Sequence, residues 1–159
     1  MKTGSANSAP ADGFTLIELM VVLVMGAIGL FAIGALVTAS YRDLTSSRLR
    51  TNLQTDADLA SYTIKGILEE ADTVAISDGG VHVTANYGND WMKEFYPDPS
   101  NGADLIFKDS ATGNTEKVIT TLSTLGFAPG TEPDEIVVTI GVQGGAIVLQ
   151  NSFSVFPRN

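Results

Sequence analysis

Glu18 is the residue whose placement asks for a chemical explanation. It stands at the near edge of Leu19–Val37, a run of residues without one charge. A carboxylate so close to an apolar run of membrane-spanning length is costly unless an opposite charge or hydrogen bonds meet it. The residues before it, Gly13–Phe14–Thr15–Leu16–Ile17, lead straight into the run.

Elsewhere, residues with catalytic potential do not gather into a pattern. His82 is the single histidine and falls on a candidate strand, where a structural or solvated role is expected. Serines are frequent, but no Gly-x-Ser-x-Gly and no glycine-rich phosphate loop occurs. The chain is therefore expected not to be an enzyme. Asp98, Ser100, Asn101, Asp104 and Asp109 place oxygen donors in a turn-rich stretch of the kind calcium favours. The order Asp98–Pro99–Ser100–Asn101–Gly102–Ala103–Asp104 is not that of an EF-hand and lacks its distal glutamate, so a plain polar loop without metal or cofactor is expected. Trp91, Phe95 and Tyr96 are expected under a long loop, with a partner-binding patch as the alternative.

Composition narrows the classes. With 159 residues, a formal charge of −9 and a sequence pI near 4.3, the chain carries no nucleic-acid footprint in its net charge. It has no cysteine, which removes disulfides, thiol nucleophiles and thiolate metal sites together.

The elements that must position Glu18 are then read in order. Residues 1–12 are short, polar and rich in small residues, like a removable or disordered leader. The run that follows exceeds a secretory h-region and has no small-residue cleavage site after it. Phe14–Val37 covers about 36 Å as a helix, enough for a hydrocarbon core of about 30 Å. Gly26, Gly29 and Gly34 thin its bulk and would permit close approach of a neighbouring helix, though glycine is common in membrane spans in any case. Beyond the run, Leu49, Leu53, Ala57, Ala60, Ile64, Ile67, Leu68, Ala71 and Val74 recur at three- and four-residue steps. Asp43, Ser47, Arg50, Gln54, Asp58, Ser61, Lys65, Glu69 and Asp72 take the other side. One nearly continuous helix from Phe14 to Val74 is expected, ending before Ser77–Gly80.

Strands follow. Val81–Thr84 is a weak one, Asn86–Asn101 reads as a loop, and Asp104–Lys108 with Lys117–Leu122 suits a hairpin. Phe127–Pro133 reads as a turn-rich connection, and Glu135–Val142 and Ala146–Val155 are the strongest strands. The expected fold class is α+β: a long N-terminal helix, membrane-spanning in its first half and amphipathic in its second, packed on a C-terminal antiparallel sheet of about four strands.

Gly13–Phe14–Thr15–Leu16–Ile17–Glu18–Leu19, opening an uncharged run with no processing site after it, resembles the signal of type IV prepilin-like proteins. That family comprises pilins, minor pilins and the pseudopilins of type II secretion. The resemblance is close over residues 13–40 and architectural over the remainder. It implies a leader at 1–13, a transmembrane and filament-core half-helix at 14–40, and a periplasmic or extracellular α+β domain at 41–159. It implies cleavage between Gly13 and Phe14 by a prepilin peptidase and N-methylation of Phe14. Glycine there lets an extended backbone enter a protease cleft without a Cβ clash. Glu18 would be the fifth mature residue, pairing with the amino terminus of an adjacent subunit during assembly. The implied partners are other pilin or pseudopilin subunits, the peptidase, an inner-membrane assembly platform and the lipid bilayer. The implied location is the inner membrane in a single pass, then a periplasmic or extracellular filament.

Two features depart from the family pattern. Lys2 is the only base before the span, Asp12 precedes Gly13, and Arg42, Arg48 and Arg50 follow the span, so charge counting opposes a cytoplasmic amino terminus. The helix-bending proline of many major pilins and their carboxy-terminal disulfide are missing. With the ending Phe156–Pro157–Arg158–Asn159, these points favour a minor pilin or pseudopilin over a major pilin. The alternative from another class is a single-pass, membrane-anchored binding or enzymatic domain.

Overall fold

A computed structural model describes residues 14–88 and 90–158. The leader and Gly13 lie outside the described residues. The chain divides into two compact units, Met1–Thr45 and Ser46–Asn159.

The first unit is helical. Helix α1, Leu16–Glu69, opens at Thr15 and contains neither proline nor a break. Its side chains through Leu44 are exposed, Phe31 at 82 % and Leu30 at 73 %, because no other element among the described residues of this unit covers them. The segment is long and apolar enough to cross a membrane. Thr38 and Ser40 donate their hydroxyls to the carbonyls four residues back, at Gly34 and Leu36, so these polar groups are satisfied within the helix.

The second unit is an α+β domain. The α1 residues Leu53, Ala57, Ala60, Ile64 and Leu68 are buried at three- and four-residue steps, with Ala71 beyond the helix end. This is the expected stripe. Among the described residues eight strands form two antiparallel sheets. The first sheet takes β1 (Thr73–Ser77), β2 (His82–Asn86), β3 (Met92–Pro97), β4 (Leu105–Asp109) and β5 (Thr115–Ile119) in sequence order. The second takes β6 (Leu122–Pro129), β7 (Ile136–Gly144) and β8 (Ile147–Val155). Val83, Phe95 and Leu105 from the first sheet join Leu125, Val138, Ile140 and Val155 from the second in one core with the helix stripe. Each of the larger side chains contributes about 1.5–3 kcal/mol by burial.

Several expectations are corrected. The sheet of about four strands is two sheets holding eight. The helix ends at Glu69, not Val74: Val74 pairs with Ala85 and Ile76 with Val83, so strand pairing overrides a helical periodicity that runs on through the sequence. The Asn86–Asn101 loop contains β3, whose Met-Lys-Glu-Phe-Tyr-Pro shows little alternation and which is held by pairing on both sides. The Lys117–Leu122 strand is divided, since β5 ends at Ile119 and β6 begins at Leu122 in the other sheet. Most of the Phe127–Pro133 connection is the end of β6 and its turn. The β7–β8 hairpin stands as expected, and β4 pairs with β5 in the expected hairpin with its second strand shifted to Thr115–Ile119.

Gly80 is a position where backbone geometry decides the residue. Its φ is +95°, and an added Cβ would lie 2.8 Å from the Phe127 carbonyl oxygen, a backbone atom that cannot swing aside. Gly113, at φ +69°, has open space around it. Gly80→Ala is expected to destabilise the domain by about 2 kcal/mol or more and Gly113→Ala by about 1 kcal/mol. Denaturant unfolding of the two variants side by side checks the order.

Candidate functional site

The start of α1 is built by its own side chains. The Thr15 carbonyl accepts the first helical bond, from the Leu19 N–H at 3.2 Å, which makes Thr15 the N-cap. Its hydroxyl accepts the Glu18 N–H at 3.3 Å, and the Glu18 carboxylate accepts the Thr15 N–H at 3.3 Å. These reciprocal bonds are a capping box, Thr-x-x-Glu, satisfying two amide donors that the helix leaves open. The carboxylate also lies at the favourable end of the helix dipole. Both bonds to the carboxylate fall on Oε2; Oε1 carries none among the described residues. The sequence reading gives Glu18 a role in assembly and does not include the box. The signal was present, a threonine three residues before a glutamate at the head of an apolar run.

Phe14 is 78 % exposed beside this cap. Among the described residues a Cβ added at Gly26, Gly29 or Gly34 would meet nothing within 4 Å, so packing among them does not demand these glycines. Arg42 and Arg50 are exposed.

The oxygen-rich stretch resolves into two separate local networks. Asp98 Oδ1 accepts the Ser100 N–H at 2.8 Å and the Ser100 hydroxyl at 2.6 Å, and these bonds hold its pKa below the usual aspartate value. Asn101 Oδ1 accepts the Ala103 and Asp104 N–H groups at 2.9 and 3.3 Å. Asp104 is buried, and its Oδ2 accepts from Lys117 Nζ and, at 3.1 Å, from Asn101 Nδ2. The Lys117 bond is the main cause of a lowered Asp104 pKa, and the same bond raises that of Lys117. Asp109 stands apart at the β4–β5 turn, where it accepts from Trp91 Nε1 and the Ala111 N–H, each at 2.9 Å; the Trp91 bond is the first cause of its lowered pKa. Among the described residues no group of three or more histidines and carboxylates is arranged to hold a metal.

Strand alternation in β3 separates Phe95 from Tyr96, and Trp91 lies just before the strand. Phe95 is fully buried and its ring lies 5.2 Å from that of Phe107. Tyr96 faces the other way, toward His82, whose Nδ1 is 3.2 Å from Asp78 Oδ2. Trp91 is 40 % exposed, near Tyr87, with Lys93 Nζ about 5 Å above both rings. The Tyr87 hydroxyl donates to the Ile67 carbonyl in the last turn of α1. Burial, helped by Glu70 and Asp109, pushes the Tyr87 pKa up to about 12.

No family model, no curated protein and no solved structure matches this chain.

Glu135 joins the three aspartates as a carboxylate stabilised in its charged form. It accepts the Ser154 hydroxyl at 2.6 Å, the largest cause of its lowered pKa, and the Thr131 and Glu132 N–H groups. Each of these four groups binds its proton less readily folded than unfolded. Their stabilisation is complete above the ordinary values of 3.8 and 4.5 and is lost as pH falls through the lower folded values. The urea midpoint is therefore expected to hold steady from neutral pH down to about 5 and to decline below about 4. Glu135→Gln should flatten part of that decline, read by the same titration.

Proposed function

We propose that this chain is a structural subunit of a helical filament, anchored in a membrane through the first part of α1 before it assembles. More particularly, we read it as a subunit of a type IV pilus-like filament, a minor pilin or pseudopilin. A prepilin peptidase would cut between Gly13 and Phe14, Phe14 would be N-methylated, and an inner-membrane platform would pass the subunit into a periplasmic or extracellular filament. The observation that carries this reading is the opening of α1. An uncovered apolar helix, long enough to span a bilayer, begins with a carboxylate that its own cap engages through only one oxygen.

The chemistry is consistent with assembly by helix packing. Lipid is as apolar as the helices, so packing and polar pairing must decide their association. The glycines at 26, 29 and 34, not demanded by packing among the described residues, leave room for a neighbour's backbone. The capping box lies wholly within Thr15–Glu18, so cleavage before Phe14 leaves it intact, and Oε1 remains for the amino group of an adjacent subunit. The acidic α+β domain would face outward.

Mass spectrometry of the protein from cells that possess the peptidase should find a chain beginning at methylated Phe14; an intact Met1 terminus there overturns the reading. The two roles of Glu18 separate by substitution. Glu18→Gln keeps a side chain able to close the capping box but loses the charge, whereas Glu18→Ala loses both. Both variants are expected to be cleaved and to lower filament yield by about tenfold or more, with only the alanine variant fraying the first turn in amide exchange. Normal filaments from Glu18→Gln would remove the charge from the mechanism.

A further inference from the structure

Asn101, Asp104 and Lys117 form a constellation that neither filament assembly nor the membrane segment uses. One buried carboxylate oxygen, Asp104 Oδ2, touches two nitrogens: the Lys117 ammonium and, at 3.1 Å, the Asn101 side-chain amide. The carbonyl of that same amide is held by two backbone donors, Ala103 N–H at 2.9 Å and Asp104 N–H at 3.3 Å. An amine, a carboxylate able to relay its proton, an amide leaving group and a pair of donors aimed at the amide oxygen are the parts of an acyl transfer.

We propose that Asn101 and Lys117 are the two ends of an intramolecular isopeptide bond, formed with Asp104 as the proton relay. Asp104 takes a proton from Lys117 Nζ, and the neutral amine attacks Asn101 Cγ. The developing oxyanion on Oδ1 stays on the Ala103 and Asp104 amides. Asp104 returns the proton to Nδ2, the Cγ–Nδ2 bond breaks, and the second proton of the attacking nitrogen passes through Asp104 to the departing ammonia, which leaves as ammonium. One C–N bond replaces another, no electrons are exchanged and no co-reactant is needed. Fixed placement of the groups substitutes for a high concentration of amine. The resting state is the charged pair, so the step is slow at neutral pH and quickens as pH approaches the lysine range.

A competing reaction starts from the same residue. In an Asn-Gly sequence the following backbone nitrogen can attack the asparagine Cγ and also expel ammonia. Here the Gly102 N–H is committed to the Asp98 carbonyl at 2.7 Å, which holds that nitrogen back. The product would tie the β3–β4 loop to β5, next to the Ile106–Lys117 register of the β4–β5 pair.

The test is intact-mass analysis of the full chain in detergent, before and after incubation at about pH 9, followed by peptide mapping. A fraction lighter by about 17 Da, the mass of one ammonia, is expected to grow with time, its Asn101 and Lys117 peptides joined. Lys117→Arg keeps a cation for Asp104 but supplies no amine nucleophile, and should abolish the joined peptide; Asp104→Asn should slow its formation at least tenfold. A mass unchanged after long incubation overturns the proposal. So does a 17 Da loss that persists in Lys117→Arg, which would identify a cyclic imide at Asn101–Gly102.

Discussion

The fold of residues 46–159 depends on one narrow contact, the stripe Leu53–Ala57–Ala60–Ile64–Leu68 laid against both sheets. Its middle is two fully or nearly fully buried alanines, flanked by the larger Leu53, Ile64 and Leu68. On the sheet side, a Cβ added at Gly144 would come within 2.9 Å of Leu49 and 3.3 Å of Leu53. Polar bonds flank the stripe and hold the helix's rotation. Thr121 donates to Asp56 at 2.8 Å, Asn151 donates to Ser61 at 3.2 Å, and Tyr87 closes the final turn at Ile67. A turn of the helix about its axis would break all of these and present charged side chains to the core.

That stripe was legible in the sequence because apolar spacing and burial express the same requirement. The β7–β8 hairpin was legible for a similar reason: Val138 and Ile140 must alternate inward, and they do. The number of strands was not legible. β3 offers only Phe95 to the core, so a local pattern cannot announce it; two neighbouring strands define it instead. β1 was hidden by Val74, which fits the helix periodicity and the strand equally well. The division of β5 from β6 rests on a two-residue turn between sheets, and no propensity encodes which sheet a strand will join.

At the candidate site the legible part was position and the illegible part was bonding. The sequence shows Glu18 out of place beside an apolar run, but the bonds it makes to Thr15 within its own chain appear only in the structure. In the oxygen-rich stretch, nearness in sequence groups Asp98, Ser100, Asn101, Asp104 and Asp109, whereas the bonding divides them: Asp98 holds Ser100, Asp104 holds Asn101 and Lys117, and Asp109 accepts from Trp91. A lysine thirteen residues from Asp104 could be placed beside it only through the β4–β5 pairing.

Trp91 is the chain's single tryptophan, and its indole donates to Asp109 beside the Lys93 ammonium. The chain therefore carries one natural optical label, and it is attached to the first sheet. Its emission will report the integrity of the β3–β4 region, shifting when the Asp109 bond breaks or the lysine moves off the ring. The apolar segment of α1 holds phenylalanine but no tryptophan, so passage between lipid and water or protein will leave this signal largely unmoved. Folding of the domain and transfer of the helix are thus optically separable in one unlabelled molecule.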